Sequence, residues 1–135
     1  WFRTMLGEAY LLNGEIDKAT GAADEALETS TTVQFLFGVG TSKHLLGGIA
    51  HAQGDLAEAE QHLNEALEIF ATLGARFEEG RTHLDLAALA HAAGNREAVG
   101  THLKEAHDLF ASLQAPKYIE RTQRRGEEYG VSVAL

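Results

Sequence analysis

The sequence predicts an all-α fold, an array of three helical hairpins followed by one closing helix. Three observations predict it. Gly14, Gly54 and Gly94 recur at a fixed step of 40 residues. Around each glycine the apolar residues fall at helical spacing. Leu56, Ala59, Leu63, Ala66, Leu67 and Phe70 step by 3, 4, 3, 1 and 3 and line one helix face. When the three units are superposed, like residues coincide: Leu6 with Leu46 and Leu86, Gly7 with Gly47 and Ala87, Ala26 with Ala66 and Ala106. A long coiled coil would repeat every 7 residues without glycine breaks. An array of units that cannot bury their apolar faces alone fits better.

The central unit shows the logic most clearly. Gly54 ends one helix because glycine reaches positive φ without a steric penalty. Asp55 stands where it can cap the next helix, with Glu58 at capping-box spacing. The first helix is expected over residues 1–13, with Leu6, Gly7 and Tyr10 inward, and its partner over 16–28. Ser30, Thr31 and Thr32 have weak helix propensity and predict a connection. The second pair is expected over 35–53 and 56–73, the third over 76–93 and 96–113. The units thus span about 1–34, 35–74 and 75–114, and small residues at Gly7, Gly47 and Ala87 allow helices to approach closely. Pro116 suits the first turn of a seventh, capping helix over 116–128. A short tail, 130–135, is left uncommitted.

Composition narrows the function. The net charge of −9 disfavours nucleic acid and anionic membrane as partners. Residues 1–74 carry 3 basic and 11 acidic groups, and residues 75–135 carry 8 and 9. Any basic patch therefore lies late, around Lys117, Arg121, Arg124 and Arg125. No cysteine is present, which removes disulfides and thiolate metal sites. No apolar run approaches the roughly 18 residues of a membrane span, and no signal peptide is visible. A cytoplasmic protein is expected. The sequence opens on Trp1 inside a helical pattern, so it reads as a piece of a longer chain. Trp1, Phe2 and Met5 would then form an apolar patch at the first face.

The spacing Leu6-Gly7-x-x-Tyr10, followed by Ala19, Ala23 and Ala26, resembles the tetratricopeptide repeat. The second and third units carry alanine for the tyrosine. The usual period is about 34 residues, so these units imply longer helices. Thr31, Ala71 and Ala111 stand where the family has a proline. Such long units look like the helical arrays of multidomain bacterial signalling ATPases and transcription activators, and like those of kinesin light chains. The segment Leu109–Pro116 with Glu120-Arg121 is similar to the C-terminal end of the bacterial group. The resemblance implies a right-handed superhelix and a non-catalytic protein-binding module within a signalling or regulatory protein.

Chemistry elsewhere is sparse. His51 and His91 are one period apart, as are His62 and His102, and repetition explains both pairs. Two imidazoles must lie about 2 Å from a shared metal, whereas neighbouring helices lie about 10 Å apart. No HExxH motif is present, and no metal or cofactor is expected. Residues Val33–Lys43 could be read as a phosphate loop. Lysine follows serine there instead of glycine, and a glycine-softened helix is the better reading. Glu58, Glu60, Glu65 and Glu68 flank an apolar stripe as a solvated face, without the cleft or raised pKa of a hydrolytic pair. Arg121, Arg124 and Arg125 read as a solvated helix face, with an anion site as the alternative.

The resemblance implies that first helices line a concave groove. By position the groove would show Thr4, Glu8 and Leu11, then Thr41, His44 and His51, then Arg81, Leu84 and His91. Such a groove suits an extended peptide or a helix. Arg81 would meet a partner carboxylate as a two-pronged donor, or else pair internally with Glu78 or Asp85. Two other functions are open: a spacer that self-associates through its N-terminal face, and a sensor whose groove closes on a small molecule.

Overall fold

The computed structural model describes residues 2–32 and 35–133, with side chains from Arg3 onward. Expectations on Trp1, the Phe2 side chain, Val33 and the last two tail residues fall outside the described residues. Among the described residues seven helices follow in order: α1 (Phe2–Leu12), α2 (Ile16–Thr32), α3 (Leu36–Ala52), α4 (Leu56–Leu73), α5 (Arg76–Ala92), α6 (Arg96–Ser112) and α7 (Pro116–Tyr129). No strand occurs among the described residues. The chain forms two compact units, residues 1–73 with α1 to α4 and residues 74–135 with α5 to α7.

The turns obey the glycine rule. Gly14, Gly54 and Gly94 have φ of 77°, 80° and 74°. At Gly54 the backbone N–H donates to His51 O at 3.0 Å, and Asp55 N–H donates to Ala50 O at 2.9 Å, so orphan carbonyls of α3 find donors. Asp55 Oδ1 accepts from Glu58 N–H at 3.1 Å, and Asn95 Oδ1 accepts from Ala98 N–H at 3.1 Å. Each side chain satisfies one free donor of the following helix. Glu58 itself turns to His62, 3.5 Å away, so the capping box is only half made.

Helix faces bury as the spacing dictates. Ala59, Leu63, Ala66 and Phe70 of α4 are buried, as are Ala19, Ala23 and Ala26 of α2 and Val99, Leu103, Ala106 and Phe110 of α6. The seams of the second and third hairpins are each closed by a large side chain of the second helix meeting a glycine of the first. A Cβ on Gly40 would stand 2.8 Å from the Phe70 ring, and one on Gly80 would stand 2.7 Å from the Phe110 ring. A Cβ on Gly47 would lie 2.6 Å from Leu63. These glycines and aromatics are one period apart. The segment 36–43 is thus helix, with Gly38 and Gly40 buried against neighbouring side chains in place of a phosphate loop. Ser42, Thr82 and Thr122, again one period apart, are fully buried. Each donates its hydroxyl to a carbonyl one turn back, on Gly38, Glu78 and Tyr118.

Two expectations are corrected, and the uncommitted tail takes a defined place. Helix α2 runs through Ser30, Thr31 and Thr32. Ser30 is buried against Gly38, and Thr32 donates its hydroxyl to Glu28 O at 2.8 Å, so packing overrides weak propensity. Leu6 is 38 % exposed, because α1 packs on α2 and α3 and Leu6 points elsewhere. The tail is fastened as far as Val133. Gly130 ends α7 at φ 69°, Val131 N–H donates to Gly126 O at 2.8 Å, and Arg96 donates to Gly130 O. Val131 and Val133 then pack on the core of the second unit.

Helix α7 occupies the place of a fourth first helix, one period after α5. Its sequence differs from those of α3 and α5 on the face that meets a second helix. Where α3 and α5 present Gly40, Gly47, Gly80 and Ala87 to a second helix, α7 presents Glu120 and Glu127, both exposed. Those carboxylates keep that face in water.

Candidate functional site

In the second unit Phe77, Arg81, Leu84, Ala88 and His91 step by 4, 3, 4 and 3 and share one face of α5. Two ring contacts orient that face toward α7. Phe77 meets Tyr118 edge to face at a centroid distance of 4.7 Å, and His91 stacks on Tyr129 at 4.2 Å and 18°. The first turns lie together and so do the last, so α7 runs alongside α5 in the same direction. Leu84 is 8 % exposed and belongs to the core cluster on which Tyr118 and Tyr129 pack.

Cations edge this seam. The Arg121 guanidinium lies 4.6 Å from the Tyr118 ring centroid, a cation–π contact. Arg125 donates to Tyr129 Oη at 3.1 Å and approaches Glu128 at 4.0 Å. Arg81 is half-buried and already engaged, and His91 is exposed. A seam floored by apolar and aromatic groups and edged by four cationic or ionisable ones can hold a chain that carries carboxylates.

The first unit carries the corresponding face of α3 one period earlier. Thr41, His44, Gly48 and His51 share a face of α3, all half-buried, and Thr41 donates its hydroxyl to Gly38 O at 3.1 Å. Glu8 is half-buried on α1. Leu11 packs on α3, where a Cβ on Gly48 would stand 3.2 Å from its Cδ2. Thr4 is only 3 % exposed. Thr4 and Leu84 are buried and Leu11 is half-buried, so helix-on-helix contact within each unit takes much of the surface expected of them. The groove expectation does not include Tyr118 and Tyr129, and Arg121 and Arg125 stand in the sequence reading only as an alternative anion site; adding 40 to Arg81 gives Arg121 on α7.

The histidines serve local contacts. His62 faces Glu58, buried His107 lies 3.6 Å from Asp108, and His83 Nδ1 lies 3.0 Å from His102 Nδ1. Among the described residues, no three His, Asp or Glu side chains converge in a way that could hold a metal ion. A cavity of about 440 Å³ lies between the last turn of α7 and the tail, lined by Gln123, Gly126, Glu127, Gly130, Val131, Ser132 and Val133. It contains none of the nine groove positions expected from the sequence.

The model of a family described as tetratricopeptide repeat matches residues 38–115, and a second model of that description matches residues 1–25. The chain belongs to the tetratricopeptide repeat family. No curated protein and no solved structure matches it. Tetratricopeptide repeats generally mediate protein–protein interaction and are typically non-catalytic. In this tetratricopeptide chain the glycine–aromatic seams build the scaffold. No described helix is long and apolar enough to cross a membrane.

Proposed function

We propose that the chain is a peptide- or helix-binding module of a larger signalling or transcription-regulatory protein, and that its second unit takes a partner bearing carboxylates. The observation that carries this reading is the α5–α7 seam, where His91, Arg121 and Arg125 sit against Tyr118 and Tyr129 in a protein of net charge −9. Solubility is served by charge anywhere on a surface. Cations gathered over aromatic rings select a partner as well.

Binding is tested with an acidic peptide array and the variants Arg81→Ala, Arg121→Ala and Arg125→Ala. Loss of a charged hydrogen bond should weaken binding by about 1–3 kcal/mol, with thermal stability nearly unchanged. A variant that loses stability while affinity holds would make that arginine structural.

Self-association is a second reading. Met5, Leu6 and Leu12 of α1 are 53 %, 38 % and 89 % exposed, an apolar face suited to a second copy. Light scattering over a concentration series separates the two readings, since a monomer at all concentrations removes this one.

A further inference from the structure

The second and third hairpins close at the same register by different chemistry. In the second, Lys43 of α3 meets Glu65 of α4 at 2.9 Å. His83 of α5 stands one period after Lys43. It meets no carboxylate of α6 but His102, ring to ring, with Nδ1 to Nδ1 at 3.0 Å and centroids 5.3 Å apart. At that distance one ring must carry its proton on Nδ1 and the other must accept it. A single added proton leaves the contact intact, as imidazolium donating to imidazole. A second would set two N–H groups and two positive charges face to face.

We propose that the His83–His102 pair is an acid-sensitive latch of the third hairpin, which holds α5 to α6 with none or one added proton and releases them with two. His102 on α6 is the charged group that bears on His83. In register, Glu79 lies one turn before His83 on α5, and Glu105 lies one turn after His102 on α6. On α7, Arg121 is turned to Tyr118, Arg124 to Glu120, and Arg125 to Tyr129 and Glu128.

Burial first, and then the charge of His102, push His83 down from 6.5 to about 4. The sign follows. The unfolded chain binds protons on this group below 6.5 and the folded chain does not until about 4. The latch thus contributes fully above 6.5, weakens as pH falls through that window, and is spent below about 4. The Lys43–Glu65 pair has the opposite character. Its hydrogen bond from Lys43 lowers the Glu65 pKa, so the paired carboxylate form is favoured as pH falls. Acidification should therefore loosen the third hairpin before the second. Because α5 and α7 carry the proposed binding seam, this device would also unload it. The latch itself does not depend on that reading.

The test is an NMR titration of the whole chain from pH 7.5 to 4.5, following the imidazole resonances together with amide protection factors. His83 should titrate at least one pH unit below an ordinary imidazole. Protection in α5 and α6 should fall by tenfold or more as His83 begins to titrate, while α3 and α4 hold. In His83→Gln, which can still hydrogen-bond but adds no second charge, α5 and α6 should stay protected to pH 4.5. His102→Gln should do the same, and serves if the first variant folds poorly. Independent titration of both rings near 6.5 would overturn the latch. So would equal loss of protection in both hairpins, or loss in the glutamine variants at the wild-type pH.

Discussion

Replacing Gln114 with glycine should stabilise the protein. Gln114 is the one described residue other than glycine at positive φ, 53°. One period earlier the same turn is made by Gly74 at φ 67°. A side chain in the left-handed region costs about 1–2 kcal/mol, because Cβ crowds the following carbonyl. Glycine removes that cost but returns about 0.4–1 kcal/mol through the greater freedom of the unfolded chain. Gln114 is exposed, and its N–H donates to Ala111 O at 3.1 Å, a bond that glycine keeps. The net gain is therefore about 1 kcal/mol. The reverse change, Gly74→Gln, should lose a similar amount. A Cβ at Gly74 meets nothing within 4 Å, so backbone strain alone is measured. Urea unfolding reads both variants. With a slope of about 2 kcal/mol per molar, the midpoint should move by about 0.5 M in opposite directions at unchanged slope. A neutral or destabilised Gln114→Gly would refute the argument, since nothing else is altered at that site.

Two further results follow from the same physics. Gly54→Val should cost about 1–2 kcal/mol in urea unfolding, because a β-branched residue at φ 80° is strained even in open space. Gly80→Ala should destabilise by about 1 kcal/mol: crowding Phe110 costs about 1–3, and alanine returns close to 1 in helix propensity. Gly21→Ala, at an exposed position of α2 where a Cβ meets nothing within 4 Å, should instead gain up to about 1 kcal/mol. Equal thermal shifts for the two alanine variants would remove the assigned role of Gly80.

The period of 40 residues, the three glycine turns, the apolar stripes of α4 and α6 and the Asp55 cap were all legible without coordinates. Each rests on interactions within a turn or two of chain, where residue type fixes the outcome. Tertiary structure decided what depends on a second neighbour. Leu84 and Thr4 have the spacing of surface positions and are buried, because adjoining helices take up that face. Leu6 has the spacing of a core residue and is exposed, because packing on α2 and α3 leaves its side open. His83 could be paired with His102 only once the α5–α6 register was known, since helical spacing places a residue on a face and not opposite a partner. The tail's fastening to α7 depends in the same way on Gly126 lying free of a side chain beside Val131 and Val133. Sequence periodicity determines which way a side chain points; the packing of neighbouring elements determines whether water or protein meets it.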